Sequence, residues 1–345
     1  MTFHIVKKSK KSWARAGVIS TPHGQIHTPC FVPVGTQATV KTLSPDELKS
    51  LGVEIALANT YHLYLRPGDE VVKQMGGLHG FSGFSKPWMT DSGGYQVFSL
   101  GLGGGKDRIG KITPHPNPLP QGERGDGFMI GGAERLRAMA QGQGAALDSL
   151  VAIDDDGVTF KSHLDGSSHR FTPEKSMEIQ RNLGADIIFA FDECSSPLHS
   201  YEYTKQAVER THKWAVRSLE AHHQGQALFG IVQGGNFQDL RAASAKYISS
   251  LPFDGIGIGG ALGNSKQEMH TILEWMVPHL PPGTPRHLLG IGHLDDFEQC
   301  IKRGMDTFDC VFPMRLARHG VLLTTHSRIT VTNAKYGSMK APPVQ

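Results

Sequence analysis

Eight short, nearly continuous apolar runs recur along the chain: CFVPVG at 30–35, VEIALANT at 53–60, PWMTD at 87–91, DIIFAFDE at 186–193, ALFGIVQ at 227–233, DGIGIGG at 254–260, HLLGIG at 287–292 and DTFDCVF at 306–312. Runs that are apolar on both sides mark strands of a sheet covered on both faces. Between them, apolar residues return at helical spacing over 44–51, 173–183, 201–222, 237–251, 265–276 and 295–303, the second behind a Thr172 N-cap. Strands alternating with amphipathic helices predict an α/β fold built on a parallel sheet. Eight such units predict a (β/α)8 TIM barrel rather than an open doubly wound sheet, whose first strand would lead into a GxGxxG that this chain lacks.

Two stretches depart from the alternation. Before the first run, ARAGVISTPHGQIHTP alternates apolar and polar residues around His23-Gly24, which predicts an N-terminal antiparallel hairpin serving as a lid or bottom plug. After the third run, residues 101–156 lose the pattern: GLGGGKDRIGK is followed by TPHPNPLPQGERGDG, with Pro114, Pro116, Pro118 and Pro120 at alternate positions, and then by an Ala-rich stretch near 132–147. Alternating prolines remove backbone donors and favour polyproline geometry. Residues 101–156 are therefore expected to be an irregular Pro/Gly-rich insertion within one catalytic domain spanning 1–345. Beyond it, GVTFKSHLDGSSHRF predicts a second hairpin turning at Asp165-Gly166.

Composition narrows the class. Of 345 residues, 39% are apolar and 19% charged, enough for a sizeable core and too little charge for disorder. Thirty-five basic against 32 acidic residues give a net +3, which permits a polyanionic partner without requiring one and excludes a tail-driven, histone-like binder. No run approaches the roughly 18 apolar residues of a membrane span, and the start lacks the apolar core of a secretion signal, so a cytoplasmic protein with no membrane contact is expected. Cys30, Cys194, Cys300 and Cys310 are widely spaced, and the 18 histidines show no HExxH, so neither a disulfide framework nor a metal site is expected.

In a barrel of this kind the chemistry gathers at the C-terminal ends of the strands. There the third run delivers Asp91, Ser92, Gly93, Gly94 and Tyr95, the fourth Asp192, Glu193 and Cys194, the fifth Gln233, the sixth Gly259 and Gly260, and the eighth Asp309. A single Asp at a strand end is commonly a helix N-cap. Several carboxylates crowded into one low-dielectric mouth repel one another, a cost usually tolerated for function. Without a histidine ligand among them they suit acid/base and nucleophilic work, and two carboxylates flanking a glycosidic carbon suit double displacement. A carboxylate beside an amide also suits a planar heterocycle with adjoining N–H and carbonyl groups. Tyr95 is either a stacking partner for that ring or a core aromatic.

The segments NTYHLYLRPG at 59–68, DSGGYQVFSL at 91–100, SHLDGSSHRFTPEKSMEIQ at 162–180, AFDEC at 190–194, GIVQGG at 230–235, IGG at 258–260 and FDCVFP at 308–313 resemble, in this order, the tRNA-guanine transglycosylases, or queuine tRNA-ribosyltransferases. The resemblance implies exchange of guanine at the wobble position (34) of tRNAs with GUN anticodons for a 7-deazaguanine, through a covalent enzyme–tRNA intermediate. It implies Asp309 as nucleophile on ribose C1′ and Asp91 as proton acceptor. Asp91, Ser92, Gly93, Gly94, Tyr95, Asp192, Gln233 and Gly260 would hold the base. The tRNA would lie on Gly290, Ile291, Gly292, His293, Leu294, Asp295 and Asp296, and on Met314, Arg315, Leu316, Ala317 and Arg318. Cys194 beside Asp192 is similar to the bacterial form, which implies preQ1 as the incoming base. The covalent ester conserves the bond energy, so no nucleotide cofactor is implied.

Three features depart from the family pattern. The family carries a zinc subdomain with CxCxxC and a downstream His beyond its NAKY motif, whereas this chain ends in GSMKAPPVQ, so no zinc and no family homodimer are expected here. At 314–318 the sequence is MRLAR where the family pattern is TRNAR, which removes a hydroxyl and an amide but keeps Arg315 and Arg318 for phosphate. The third departure is the insertion itself. These leave two readings beside a working base-exchange enzyme: a truncated or non-catalytic tRNA-binding homologue, which turnover by the isolated chain removes, and a barrel glycoside hydrolase, which the carboxylates alone allow.

Overall fold

The computed structural model describes residues 1–101, 151–197, 199–260, 262–263, 265–324 and 328–339. Eight parallel strands form one sheet: β4 (Cys30–Pro33), β5 (Ala56–Ala58), β6 (Trp88–Thr90), β10 (Ile187–Phe189), β11 (Ala227–Val232), β12 (Gly255–Ile258), β13 (Arg286–Leu288) and β14 (Thr307–Cys310). Their spatial order is β4-β14-β13-β12-β11-β10-β6-β5. The two ends of that order meet at a parallel bridge between Val34 and Leu57, where Gly35 N–H donates to the Leu57 carbonyl at 2.7 Å. The barrel predicted from the eight apolar runs is present, each strand inside its run except β13, which starts one residue earlier at Arg286.

Helices fill the connections: α1 (Pro45–Ser50), α2 (Thr60–Leu65), α3 (Asp69–Gln74), α4 (Gly77–Ser82), α5 (Gly94–Gly101), α6 (Pro173–Leu183), α7 (Tyr201–Ala221), α8 (Gln238–Ser250), α9 (Lys266–Met276), α10 (Leu294–Lys302) and α11 (Phe312–Arg318). Four of their starts are fixed by side chains. Ser44 and Glu47 form a reciprocal capping box, and Thr172, Ser200 and Ser265 each accept a backbone N–H of the following turn.

The N-terminal segment holds three strands, β1 (Thr2–Lys8), β2 (Arg15–Thr21) and β3 (Gly24–Thr28), where the alternation predicts two. The predicted turn also moves by one residue: Thr21 pairs with Gly24, so Pro22 and His23 make it. β1 escapes the pattern because it is an edge strand with half-exposed alternate positions and lysines at its end. This sheet plugs the bottom of the barrel. Ile19 and Ile26 join Val32, Leu57, Met89, Ile187, Phe189, Phe229 and Ile231 in one buried interior cluster. Phe229 occupies the space left bare by Gly255, whose Cβ would stand 2.3 Å from its ring.

The second hairpin forms as predicted from β8 (Val158–Lys161) and β9 (Ser168–Phe171) and gains a third strand, β7 (Val151–Ile153). The irregular stretch expected over 101–156 is thus corrected at its end, because Val151–Ile153 pair with Val158–Phe160. Its proline-rich and Ala-rich parts lie outside the described residues. A further two-stranded ribbon of β15 (Val321–Leu323) and β16 (Arg328–Thr330) follows α11. Among the described residues, no helix is long and apolar enough to cross a membrane.

The plug is fastened by one buried ion pair. Arg15 Nε and Nη2 donate to the two Asp306 oxygens at 2.9 and 2.6 Å, and the same guanidinium caps the carbonyls of Pro282 and Thr284, both at 2.6 Å. Burial pushes the Asp306 carboxyl up, against the opposing pull of Arg15. Removing one partner of such a pair strands a charge in low dielectric. Arg15→Ala is therefore expected to lower unfolding free energy by about 3–5 kcal/mol with an unchanged urea m-value; a loss below about 1 kcal/mol would show that the plug does not depend on this pair.

Candidate active site

The strand ends converge as the barrel requires. Asp91 follows β6 directly, Asp192 stands three residues beyond β10, Gln233 follows β11, Gly260 lies just past β12, and Asp309 is inside β14. Each carboxylate meets a different environment, and that difference separates their chemistry.

Asp91 is the most heavily solvated by protein donors. Asn59 Nδ2 and Gln96 Nε2 donate to Oδ2 at 2.7 and 2.6 Å, and the Thr60 N–H donates to Oδ1 at 2.8 Å. Burial nonetheless pushes its carboxyl above the ordinary range, and the charge of Asp309 pushes the same way. Asp192 is buried, accepts Ser92 Oγ at 2.8 Å and Gln233 Nε2 at 2.7 Å, and is pushed up by burial to about 6. Asp309 is held through one oxygen: His287 Nε2 lies 3.0 Å and the Gly290 N–H 2.9 Å from Oδ1. No hydrogen bond to Oδ2 occurs among the described residues, and the side chain is 13% exposed. His287 is itself fully buried, with Nδ1 2.8 Å from Thr307 Oγ1. With the threonine hydroxyl donating to Nδ1, Nε2 carries the proton that faces Asp309.

A slot opens beside Gln233. Its Oε1 is buried and has no hydrogen-bond partner among the described residues, and a Cβ on Gly260 would stand 2.3 Å from it, at a φ of +81°. Glycine there keeps the slot open. Tyr95 lies in the first turn of α5 with its phenol pushed up by burial and by nearby Cys194, whose own thiol burial pushes to about 12. Glu193, by contrast, turns away from the mouth to accept from Tyr203 at 2.7 Å and to pair with Arg210. An apolar cavity of about 300 Å³ lies elsewhere, outside β4 and beside α1, and holds none of these groups.

A family model described as "Queuine tRNA-ribosyltransferase" matches residues 9–113 and 129–345. The chain belongs to the queuine tRNA-ribosyltransferase family. A protein of that name from Roseiflexus sp. is 46% identical, over 97% of this chain and 81% of its own length. Another from Herpetosiphon aurantiacus is 48% identical over 95% and 72%, and one from Lactococcus lactis 45% identical over 97% and 76%. The unmatched residues 114–128 contain Pro114, Pro116, Pro118 and Pro120.

The residues that the family resemblance assigns to tRNA fall into two groups. Gly290, His293, Leu294 and Asp295 retain exposure, whereas Ile291, Gly292 and Asp296 are buried, the last paired with Lys266 at 2.9 Å. His293 packs on Phe312 with ring centroids 4.0 Å apart. On α11, Ala317 and Arg318 are exposed, while Met314, Arg315 and Leu316 are partly covered. Cys30, Cys194, Cys300 and Cys310 are all free thiols, and among the described residues the one convergent set of metal-capable side chains, His23, His79 and Asp186, contains no cysteine.

Asn59, Thr60, Gln96 and His287 were not singled out by sequence reasoning, although Asn59 and His287 are polar residues at the edges of buried apolar runs. That placement is a usable signal for groups that orient a strand-end carboxylate.

The Asp192 environment yields a pH prediction. Its folded-state value of about 6 exceeds the ordinary 3.8, so ionising it penalises the fold. The penalty is absent below the ordinary value, grows between the two, and is complete above the folded value. Asp192→Asn lifts it, and rotation of the Gln233 amide lets Oε1 receive the new N–H. The variant is expected to be more stable than the parent by about 1–3 kcal/mol at pH 8, with the gain vanishing near pH 4 in urea titrations at both pH values. A gain independent of pH would refute the buried-charge account.

Proposed function

We propose that this chain is a tRNA-guanine transglycosylase that exchanges guanine at wobble position 34 of tRNAs with GUN anticodons for preQ1, by double displacement through an ester on Asp309. The observation that carries the reading is the contrast between the two carboxylates at the mouth. Asp309 is fixed through Oδ1 and keeps an unbonded oxygen, as a nucleophile requires, while Asp91 is biased toward protonation. Family membership supports the substrate class, since the relatives are named for ribosyl transfer to tRNA.

In the first half-reaction Asp309 attacks C1′ of the ribose, and the bonding pair of the glycosidic bond leaves on N9 of guanine, which takes a proton from Asp91. In the second, N9 of the incoming 7-deazaguanine attacks C1′, its proton passes to Asp91, and the ester C–O bond returns its electrons to Asp309. The sequence is balanced and needs no nucleotide cofactor. Asp192 accepts the ring N–H and exocyclic amine, the Gln233 amide and the Gly260 N–H serve the carbonyl edge, and Tyr95 stacks on the ring. Ser92, Gly93 and Gly94 frame the slot. Exposed Leu294, Asp295, Ala317 and Arg318 meet the tRNA directly. Ile291, Gly292 and Asp296 act by shaping the backbone behind them.

Incorporation of radiolabelled guanine into tRNA with a GUN anticodon tests the proposal. Uptake by the purified chain is expected, with Asp309→Asn reducing it by about 10³-fold or more and preventing a denaturation-resistant protein–tRNA adduct. Absence of both uptake and adduct in a folded chain would favour the non-catalytic tRNA-binding reading, which the MRLAR departure at Met314 to Arg318 supports.

A further inference from the structure

At the opposite end of the barrel from the carboxylate mouth, three residues far apart in sequence meet. His23 lies in the β2–β3 turn, His79 on α4 and Asp186 immediately before β10. His23 Nδ1 stands 2.8 Å from Asp186 Oδ1, and His79 Nε2 stands 3.2 Å from Oδ2. One donor atom from each residue falls within 4.8 Å of the others. The two imidazoles stack with centroids 3.5 Å apart and planes 19° from parallel, so both present a nitrogen to the same carboxylate. The Asp186 side chain has no exposure, that of His79 13% and that of His23 43%, which leaves one side of the group open to solvent.

We propose that His23, His79 and Asp186 form a site for a divalent transition-metal ion, zinc in the first instance, that ties the N-terminal sheet to the barrel. Two imidazole nitrogens and a carboxylate are a donor set suited to zinc, with a water completing the tetrahedron on the exposed side. Ligand distances of about 2.1 Å in a tetrahedron place donors about 3.4 Å apart. The two His–Asp contacts stand at 2.8 and 3.2 Å and the third donor pair lies within 4.8 Å, so binding requires the stacked imidazoles to tilt apart until both in-plane lone pairs meet the ion. On binding, each neutral imidazole shifts its proton to its other nitrogen and gives the freed lone pair to the metal, and a protonated one releases its proton to solvent. The Trp88 N–H donates to Asp186 Oδ2 at 3.0 Å and fixes the carboxylate, as outer-shell donors do around metal ligands. Magnesium, which prefers an all-oxygen octahedron, is the wrong ion for this set.

The test is titration of the whole, EDTA-treated chain with Co²⁺ as a spectroscopic probe, followed by displacement with Zn²⁺ and a thermal melt. One equivalent of Co²⁺ is expected to give the visible bands of a four- or five-coordinate nitrogen–oxygen site, zinc to bleach them, and zinc but not magnesium to raise the melting midpoint by several degrees. His23→Ala, in a partly exposed turn that tolerates substitution, and His79→Ala should each weaken binding by about tenfold or more. His27→Ala, which removes an exposed imidazole paired with Glu54, should leave it unchanged. Absence of saturable binding, or equal affinity in the parent, His23→Ala and His79→Ala, overturns the proposal and leaves the group as a hydrogen-bonded latch.

Discussion

The mouth of the barrel depends on a positive charge that never reaches water. Arg241, on α8, is completely buried, and its guanidinium donates to the carbonyls of Gly235 and Gly259 at 2.8 Å each and of Val232 at 3.2 Å. Those carbonyls belong to the segments that leave β11 and β12, so one side chain fixes the two loops bearing Gln233 and Gly260. Burial pushes the guanidinium down to about 10, still well above neutrality, so the charge persists and keeps its hold on the carbonyl dipoles. The slot beside Gln233 has rigid walls for this reason, and Gln233 Oε1, unpartnered among the described residues, faces into it.

The same logic recurs around the carboxylates. Asp91, Asp192 and Asp309 are each oriented by groups from other strands or helices, Asn59 and Gln96 for the first, Ser92 and Gln233 for the second, His287 and Gly290 for the third. Three acids sharing a mouth would otherwise ionise together and repel. Unequal hydrogen bonding and unequal burial instead leave Asp309 with an oxygen unbonded among the described residues, while burial pushes Asp91 and Asp192 toward their protonated forms.

Much of this architecture is legible in the chain. The eight buried strands are nearly pure apolar runs, and α6, α7 and α9 declare their starts through Thr172, Ser200 and Ser265 while α8, capped by no side chain, is marked by its apolar spacing, so α6 matches its predicted span and α7, α8 and α9 fall within a residue of theirs at each end. What stays hidden has little local signature. β1 and β7 are edge strands with half-exposed residues, and the ribbon of β15 and β16 is short and mixed in polarity. The site behaves likewise: Asp91, Asp192, Gln233 and Asp309 stand where strand ends must deliver them, but the partners that tune them arrive through tertiary folding. His79 and His23 lie 107 and 163 residues from Asp186, a separation that no motif spacing encodes.

The Arg15–Asp306 clasp has a consequence for how the protein is made. The base of the ring is fastened across a separation of 291 residues, and β14 must pair with β4, register Phe308 against Phe31, before the first strand has a neighbour on that side. A nascent chain therefore carries β4 with one bare edge through most of its synthesis, because the strand that covers it is the last of the eight to leave the ribosome. Such an unpaired edge is a template for wrong pairing. In the folded protein the plug sheet covers the base of that first strand, with Ile19 and Ile26 packed in one cluster with Val32 and Val34.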